Sequence, residues 1–288
     1  MSVRIYCDQN FLIDIGKNCK RNKDYNKRLL QCIESGEIEF VLSAYQWVET
    51  ARGNNPGAGL ALAEFADSIQ PKWIHERRVL QRHEVEAAFF IWCGIPYQLP
   101  SPLGTLTEVV AKLNAVSSTM VEGQSLKAKD FVQHLQSDPN AMGSLEASYE
   151  EIKNLSNGMK ELAKHGKLKP EYVKLANQQY IHSLVPSLTP EGLTIAESTK
   201  GEFVSAVGIN CLPCIAVDFA LEEDGWVRTT QFTWSDFVDQ QHVVGALPYA
   251  DCFGTRDKNL TGMILRIRPK LTFQTACPIT KERFDELL

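Results

Sequence analysis

Residues 3–14 read VRIYCDQNFLID, a β-branched and aromatic run that ends at Asp8 and then changes to helical spacing. Such a short apolar run predicts a buried strand. A second run, IEFVLS (38–43), follows two helical segments, and Ser43 is then placed to cap the helix AYQWVETARG (44–53). Strands that alternate with helices over short connections predict an α/β fold, with a parallel sheet covered by helices on both faces.

The rest of the chain divides into three parts by its patterning. Residues 1–96 form the first half of the α/β core, residues 97–200 a mainly helical insertion, and residues 201–288 the second half of the core. Within the insertion, helical periodicity covers 104–117, 124–137, 144–165 and 170–184, and we expect it to add no strands to the sheet. In the last part we predict a helix capped by Ser235, a short strand DCFGT (251–255), a final strand LTFQT (271–275) and a closing helix TKERFDELL (280–288).

Composition limits the classes of function. The 288 residues carry a net charge of −5, which argues against nucleic-acid binding through a broad basic surface. An acidic chain can still bind a polyanion where divalent cations fill an acidic pocket. No apolar run has the ~18 residues that a membrane span needs, and Asp8 and Asp14 interrupt the apolar amino terminus, so we expect neither a membrane protein nor a signal peptide. Eight cysteines without an export signal predict reduced thiols and a cytoplasmic location.

Four acidic residues occupy matching positions in these elements. Asp8 ends the first strand, Glu49 lies in the helix after the second, Asp239 lies in the helix DFVDQQHVVG, and Asp257 follows the strand DCFGT. A single acid of this kind is usually a helix cap or a solvated side chain. Four at the carboxyl edge of one parallel sheet would repel one another unless a cation neutralised them. Carboxylate ligands suit Mg²⁺ or Mn²⁺.

Three segments resemble the motifs of PIN-domain nucleases. IYCDQNFLID is similar to the opening strand of that family with its Asp-x-Asn, SAYQWVETARG resembles the capped helix that carries an acid, and DQQHVVGALPYADCFGTRDKNL resembles a helix that bears an Asp and leads into a strand ending in Thr-x-Asp. The resemblance covers about residues 1–95 and 203–275. It implies a Rossmann-like α/β/α fold and metal-dependent cleavage of phosphodiester bonds. The interval from Glu49 to Asp239 is far longer than a compact PIN domain uses.

The resemblance also assigns residues. The four metal-site acids correspond to Asp8, Glu49, Asp239 and Asp257, while Asn10 and Thr255 fall where the family keeps supporting polar groups. Asp251 is an extra acid that could replace or assist Asp257 as a ligand, although six residues of extended chain place it at the opposite end of the strand. His242 is placed to contact phosphate or orient Asp239, or else to pack as an ordinary helical histidine. Arg256 is placed either to pair with phosphate or to form an exposed ion pair.

These residues predict a divalent-metal-dependent nuclease, an endoribonuclease of toxin or defence type, with RNA as substrate and DNA as the alternative. The competing hypothesis is a catalytically silent PIN-like scaffold that uses the insertion as an interaction surface. A nucleotide-binding Rossmann domain is disfavoured, since neither a G-x-G-x-x-G nor a P-loop motif follows a predicted strand. The sequence leaves open whether the chain forms a homodimer and whether an inhibitory partner protein restrains its activity.

Overall fold

The computed structural model of the protein describes residues 2–52, 55–112, 125–138, 143–226 and 231–288. In these residues the chain forms six strands, β1 (Val3–Cys7), β2 (Ile38–Ser43), β3 (Lys72–Ile74), β4 (Leu103–Gly104), β5 (Cys252–Gly254) and β6 (Cys277–Ile279). They build one sheet in the order β4-β3-β2-β1-β5-β6. Every neighbouring pair is parallel except β3 and β4. The predicted α/β fold with a central parallel sheet is therefore confirmed, with one antiparallel strand at an edge.

Helices join these strands. They are α1 (Gln9–Arg21), α2 (Lys23–Glu34), α3 (Tyr45–Arg52), α4 (Pro56–Ile69), α5 (Arg77–Trp92), α6 (Leu106–Ala111), α7 (Ala128–Ser137), α8 (Gly143–Lys164), α9 (Pro170–Leu184), α10 (Glu197–Ala206), α11 (Pro213–Trp226), α12 (Trp234–Ala246), α13 (Lys258–Ile267) and α14 (Lys281–Asp285). Among the described residues, no helix is long and apolar enough to cross a membrane.

The sheet has a hydrophobic core on each face. In β1, Ile5 and Cys7 belong to a core built with α1, α4 and α7, whereas Tyr6 between them belongs to a core built with α11, α12 and α13. This alternation follows from the pleat, which directs successive side chains to opposite faces. Helices thus cover the sheet on both sides, as a three-layer α/β/α arrangement requires.

The segment 97–200 is mostly helical where the structure describes it, but it is not separate from the core. It contributes β4 to the sheet edge, contrary to the expectation of no added strand. Its helix α7 buries Phe131 and Val132 in the same core as Ile5. Its helix α8 packs against α11 and α12, with Tyr149 and Ile152 against the same core, and α9 packs against α5 and α10. Of the predicted helix 104–117, the structure has Leu106–Ala111, and residues 113–117, like residue 124 of the next predicted helix, lie outside the described residues.

Two local predictions near the end of the chain are wrong. The helix predicted to start at Ser235 starts at Trp234 and is capped by Thr233, whose hydroxyl accepts the N–H of Asp236 while the Asp236 carboxylate accepts the N–H of Thr233. The segment LTFQT is not a strand; its Leu271 and Phe273 pack against the second core. The last strand is β6, CPI. Pro278 disfavours a strand in sequence, but β6 lies at the sheet edge, where a missing N–H is tolerated.

Candidate active site at the carboxyl edge of the sheet

The sheet has its topological switch point between β1 and β5. From β1 the chain adds β2, β3 and β4 on one side, and it later returns to add β5 and β6 on the other. Ligands of open α/β sheets bind beyond the carboxyl ends of the strands at such a point. Cys7 and Gly254, the last residues of β1 and β5, are register partners. The residues that follow β1 and β5 therefore begin side by side at this edge of the sheet.

Asp8, Thr255 and Asp257 are linked at this point. The Thr255 hydroxyl donates a hydrogen bond to Asp8 Oδ2 and accepts the backbone N–H of Asp257 at 3.0 Å. Asp8 also caps α1, with its Oδ1 2.7 Å from the N of Phe11. Asp257 caps α13 through the N–H of Asn259 and Leu260. Both carboxylates are thus held by backbone amides at helix amino termini, and the Thr255 hydroxyl links the carboxylate of Asp8 to the backbone of Asp257.

Glu49 and Asp239 approach from the helices α3 and α12. Nε2 of His242 lies 3.8 Å from Oε2 of Glu49, and Nδ1 of the same ring lies 2.6 Å from the hydroxyl of Tyr6. His242 is buried, and within the described part of the chain its Nε2 has no hydrogen-bond partner. The imidazole is therefore fixed between a central strand and one of the predicted acids, so it is both a packed histidine and a neighbour of the site.

The acids influence one another electrostatically. Burial raises the pKa of Asp239 to about 7, with smaller increases from the negative charges of Glu49 and Asp257, while His242 opposes the shift. Burial likewise raises the pKa of Asp8, against the hydrogen bonds from Thr255 and Phe11, and Asp257 adds to the increase. Asp239 thus lies within electrostatic range of Glu49 and Asp257, and Asp8 within range of Asp257, although burial is the main cause of both shifts.

Tyr6 lies beneath this group and was not identified from the sequence. Burial raises the pKa of its hydroxyl well above the usual value, and the charges of Asp8, Glu49 and Asp239 raise it further. Tyr6 therefore stays a neutral phenol that fixes the ring of His242. Nothing in the sequence marked Tyr6 as a site residue, because an aromatic residue inside a buried strand is ordinarily a core residue.

The donor chemistry of the site fits a hard divalent cation, since all four acids offer carboxylate oxygens. In the described residues, however, no group of three or more His, Cys, Asp or Glu side chains is arranged to hold a metal ion. Mg²⁺ keeps several of its waters and usually takes only one or two carboxylates directly, so a smaller set satisfies it. Burial disfavours the charged form of Asp239, with smaller effects from Glu49 and Asp257, and a bound cation would stabilise that charged form.

The remaining predicted residues are either exposed, engaged in another interaction or at the other edge of the sheet. Asn10 is exposed in the first turn of α1. Arg256, with a side chain 57% exposed, pairs with both oxygens of Asp14 at 2.8 Å. Asp251 precedes β5 at the amino edge of the sheet, where its Oδ2 accepts the N–H of Arg4 at 2.8 Å. The structure therefore does not bring Asp251 to the other four acids.

Three polar side chains that the sequence analysis missed support the end of β1. The Gln46 amide donates to the backbone oxygen of Cys7, next to Asp8. The Thr50 hydroxyl donates to the Gln46 backbone oxygen at 2.7 Å and accepts the Gln9 amide at 2.8 Å. These bonds tie α3, which carries Glu49, to β1 and α1. In the sequence, the only sign of these bonds is that Gln46 and Thr50 are four residues apart on the helix that carries Glu49. That spacing alone is common.

Comparisons of the chain with protein-family models, with curated proteins and with solved structures give no match. The assignment of function therefore depends on the geometry of this edge of the sheet.

Proposed function

We propose that the protein is a divalent-metal-dependent endoribonuclease with a PIN-like fold and that Asp8, Glu49, Asp239 and Asp257 form its active site. The observation that carries the proposal is the geometry of this edge. Asp8 and Asp257 follow the register-paired ends of β1 and β5, and Thr255 is hydrogen-bonded to both residues. Glu49 lies 3.8 Å from the ring of His242, one turn from Asp239 on α12. Helix capping explains Asp8 and Asp257 in any protein, but it does not explain why Asp239 lies within electrostatic range of both Glu49 and Asp257. An enzyme that must hold cations beside a phosphodiester requires that arrangement.

In this proposal, Mg²⁺ or Mn²⁺ would lower the pKa of an attacking water and neutralise charge that develops on the phosphate. Asp8 and Asp257, held in position by Thr255, would provide carboxylate ligands from the strand ends, and Glu49 and Asp239 would provide them from the helices. One of these carboxylates would accept the proton of the water. His242, fixed by Tyr6, would orient Glu49. The eight free cysteines favour a cytoplasmic location for this activity.

The test is incubation of the purified protein with labelled single-stranded RNA and DNA in Mg²⁺, Mn²⁺ or EDTA. We expect cleavage of RNA with either metal and none in EDTA. The variant Asp8→Asn should lose the activity and keep its stability, because an Asn side chain can still accept the N–H of Phe11 at the start of α1. Glu34→Gln, at an exposed carboxylate in the last turn of α2, is the matched control and should cleave like the parent. Cleavage of DNA alone would change the substrate, and full activity of Asp8→Asn would refute the site.

Metal binding distinguishes the nuclease hypothesis from the scaffold hypothesis. The lack of a ligating group of three among the described residues is the observation that favours a scaffold. A cation that binds only the folded state must raise the melting temperature. We therefore expect Mn²⁺ to stabilise the parent and not Asp8→Asn, whereas a scaffold would show no metal-dependent shift.

A further inference from the structure

A cavity of about 350 Å³ lies between the helices of segment 97–200 and the core. Its walls come from α8 and α9 on one side and from α11, α12 and the start of α5 on the other. This volume is within the range of small-molecule sites in proteins, which are usually concave and mostly apolar. It lies on the face of α12 formed by Phe237, Gln240 and Gln241, away from Asp239 and His242.

The walls of the cavity are apolar and partly aromatic. Ile152, Leu155 and Met159 form a stripe on α8 at spacings of three and four residues, so one face of this helix lines the cavity. Phe219 and Phe237 face it from α11 and α12. The helix α8 packs against α11, but its Leu155 is exposed because this side chain borders the cavity. These walls suit a ligand with an apolar or aromatic body.

The floor of the cavity carries charge. Asp218 is ion-paired with Arg77 and has a side chain only 1% exposed, and its Oδ1 has no hydrogen-bond partner in the described part of the chain. Glu222, one turn further along α11, lies 3.8 Å from the same Arg77 nitrogen. Burial, and after it the negative charge of Asp218, raises the pKa of Glu222, while Arg77 opposes the shift. The Glu222 side chain is nevertheless 31% exposed, because it borders the cavity.

The charged groups of the described lining are unbalanced. They comprise four carboxylates and two guanidinium groups, Glu76, Glu151, Asp218, Glu222, Arg77 and Arg78. Arg77 is already engaged by the buried carboxylate of Asp218, so it compensates Glu222 only in part. A buried carboxylate without a full counter-charge favours either a proton or a bound cation. Aromatic side chains in the same walls also favour a cation, since their ring faces carry partial negative charge.

We propose that this cavity binds a small organic cation, an ammonium group on an apolar or aromatic body, with the ammonium against Glu222 and the body between α8, α9 and α12. This site is separate from the proposed nuclease centre and does not depend on it. It gives segment 97–200 a role, because α8 and α9 supply ten of the 22 described lining residues.

The test uses phenethylamine as the probe, with phenethyl alcohol and hydrocinnamate as ligands of similar shape that are neutral and negative. Binding is measured in EDTA by calorimetry and by the shift in melting temperature at ligand concentrations up to roughly 10 mM, since a ligand selective for the folded state must stabilise it. We expect the amine to bind and the alcohol and the acid to bind at least about tenfold more weakly, the loss typical of a charged hydrogen bond. Equal binding of amine and alcohol, or no binding of the amine, would overturn the proposal.

Two variants locate the site. Glu222→Gln should weaken binding of the amine about tenfold while retaining the fold, because it removes a charge that Asp218 repels. Glu161→Gln changes an exposed carboxylate on α8 that does not line the cavity, and it should bind like the parent. Ala176→Phe fills the cavity from α9 and should abolish binding if Glu222→Gln proves too unstable to measure. Undiminished binding in Glu222→Gln, or in Ala176→Phe, would show that the amine binds elsewhere.

Discussion

Replacing Asp239 by Asn tests the electrostatic description of the acidic site without any assay of cleavage. Burial, and after it Glu49 and Asp257, raises the pKa of Asp239 from its ordinary 3.8 to about 7. Well below pH 3.8 the carboxyl is protonated in both the folded and the unfolded protein, so it has no net effect. Between these two pKa values the folded state keeps a proton that the unfolded state has lost. Stability therefore falls as pH rises from about 4 to about 7, and it stays lower above that.

The size of the effect follows from the pKa. A tenfold change in an acid constant corresponds to about 1.4 kcal/mol, so the ionised carboxylate destabilises the fold by at most about 4 kcal/mol. Asp239 is partly exposed, and solvent screening reduces this to roughly 2 kcal/mol. At about 2–4 °C per kcal/mol for a chain of this size, Asp239→Asn should melt about 4–8 °C higher than the parent at pH 8. At pH 4.5 the difference should shrink to about 1–4 °C. At that pH the carboxyl of the unfolded parent has lost most of its proton, whereas that of the folded parent has not, so only part of the full effect is present.

The measurement is thermal and urea unfolding of parent, Asp239→Asn and the control Glu34→Gln, in EDTA, at several pH values from about 4.5 to 8. Added Mn²⁺ should stabilise the parent more than Asp239→Asn, since the cation replaces the missing counter-charge. The reasoning would be refuted if Asp239→Asn were less stable than the parent at pH 8, or if its advantage did not change with pH.

Two further predictions concern the neighbours of this acid. Asp257→Asn should lower metal-dependent cleavage by orders of magnitude while keeping the cap of α13. Asp251→Asn, at the amino edge of the sheet, should lower cleavage far less. Rates in the reverse order would make Asp251 the ligand. Tyr6→Phe removes the partner of Nδ1 in the buried His242 and should cost about 1–3 kcal/mol in urea unfolding. It should also reduce cleavage if His242 orients Glu49, and an unchanged rate would limit Tyr6 to a structural role.

The sequence determined the first half of the fold. β1 and β2 are buried runs with clear ends, and the helices after them have strong apolar periodicity, so local patterns were sufficient. The positions of Asp8 and Asp257 at strand ends also followed from local sequence, since the residue after a buried strand must lie at the sheet edge. That Asp251 lies at the other edge followed from the length of the extended chain between the two acids.

Only the tertiary structure decided how these pieces meet. β3, β4 and β6 have two or three residues each, which is too short for the alternation of buried and exposed residues to show. Pro278 also argued against a strand at β6. The bond from Thr255 to Asp8 spans 247 residues and that between Tyr6 and His242 spans 236, and both depend on β5 and α12 packing against β1. The cavity beside Glu222 likewise exists only where α8 and α9 meet the core. Local patterns determine which residues are buried and where strands end, whereas pairing of distant segments decides which side chains come into contact.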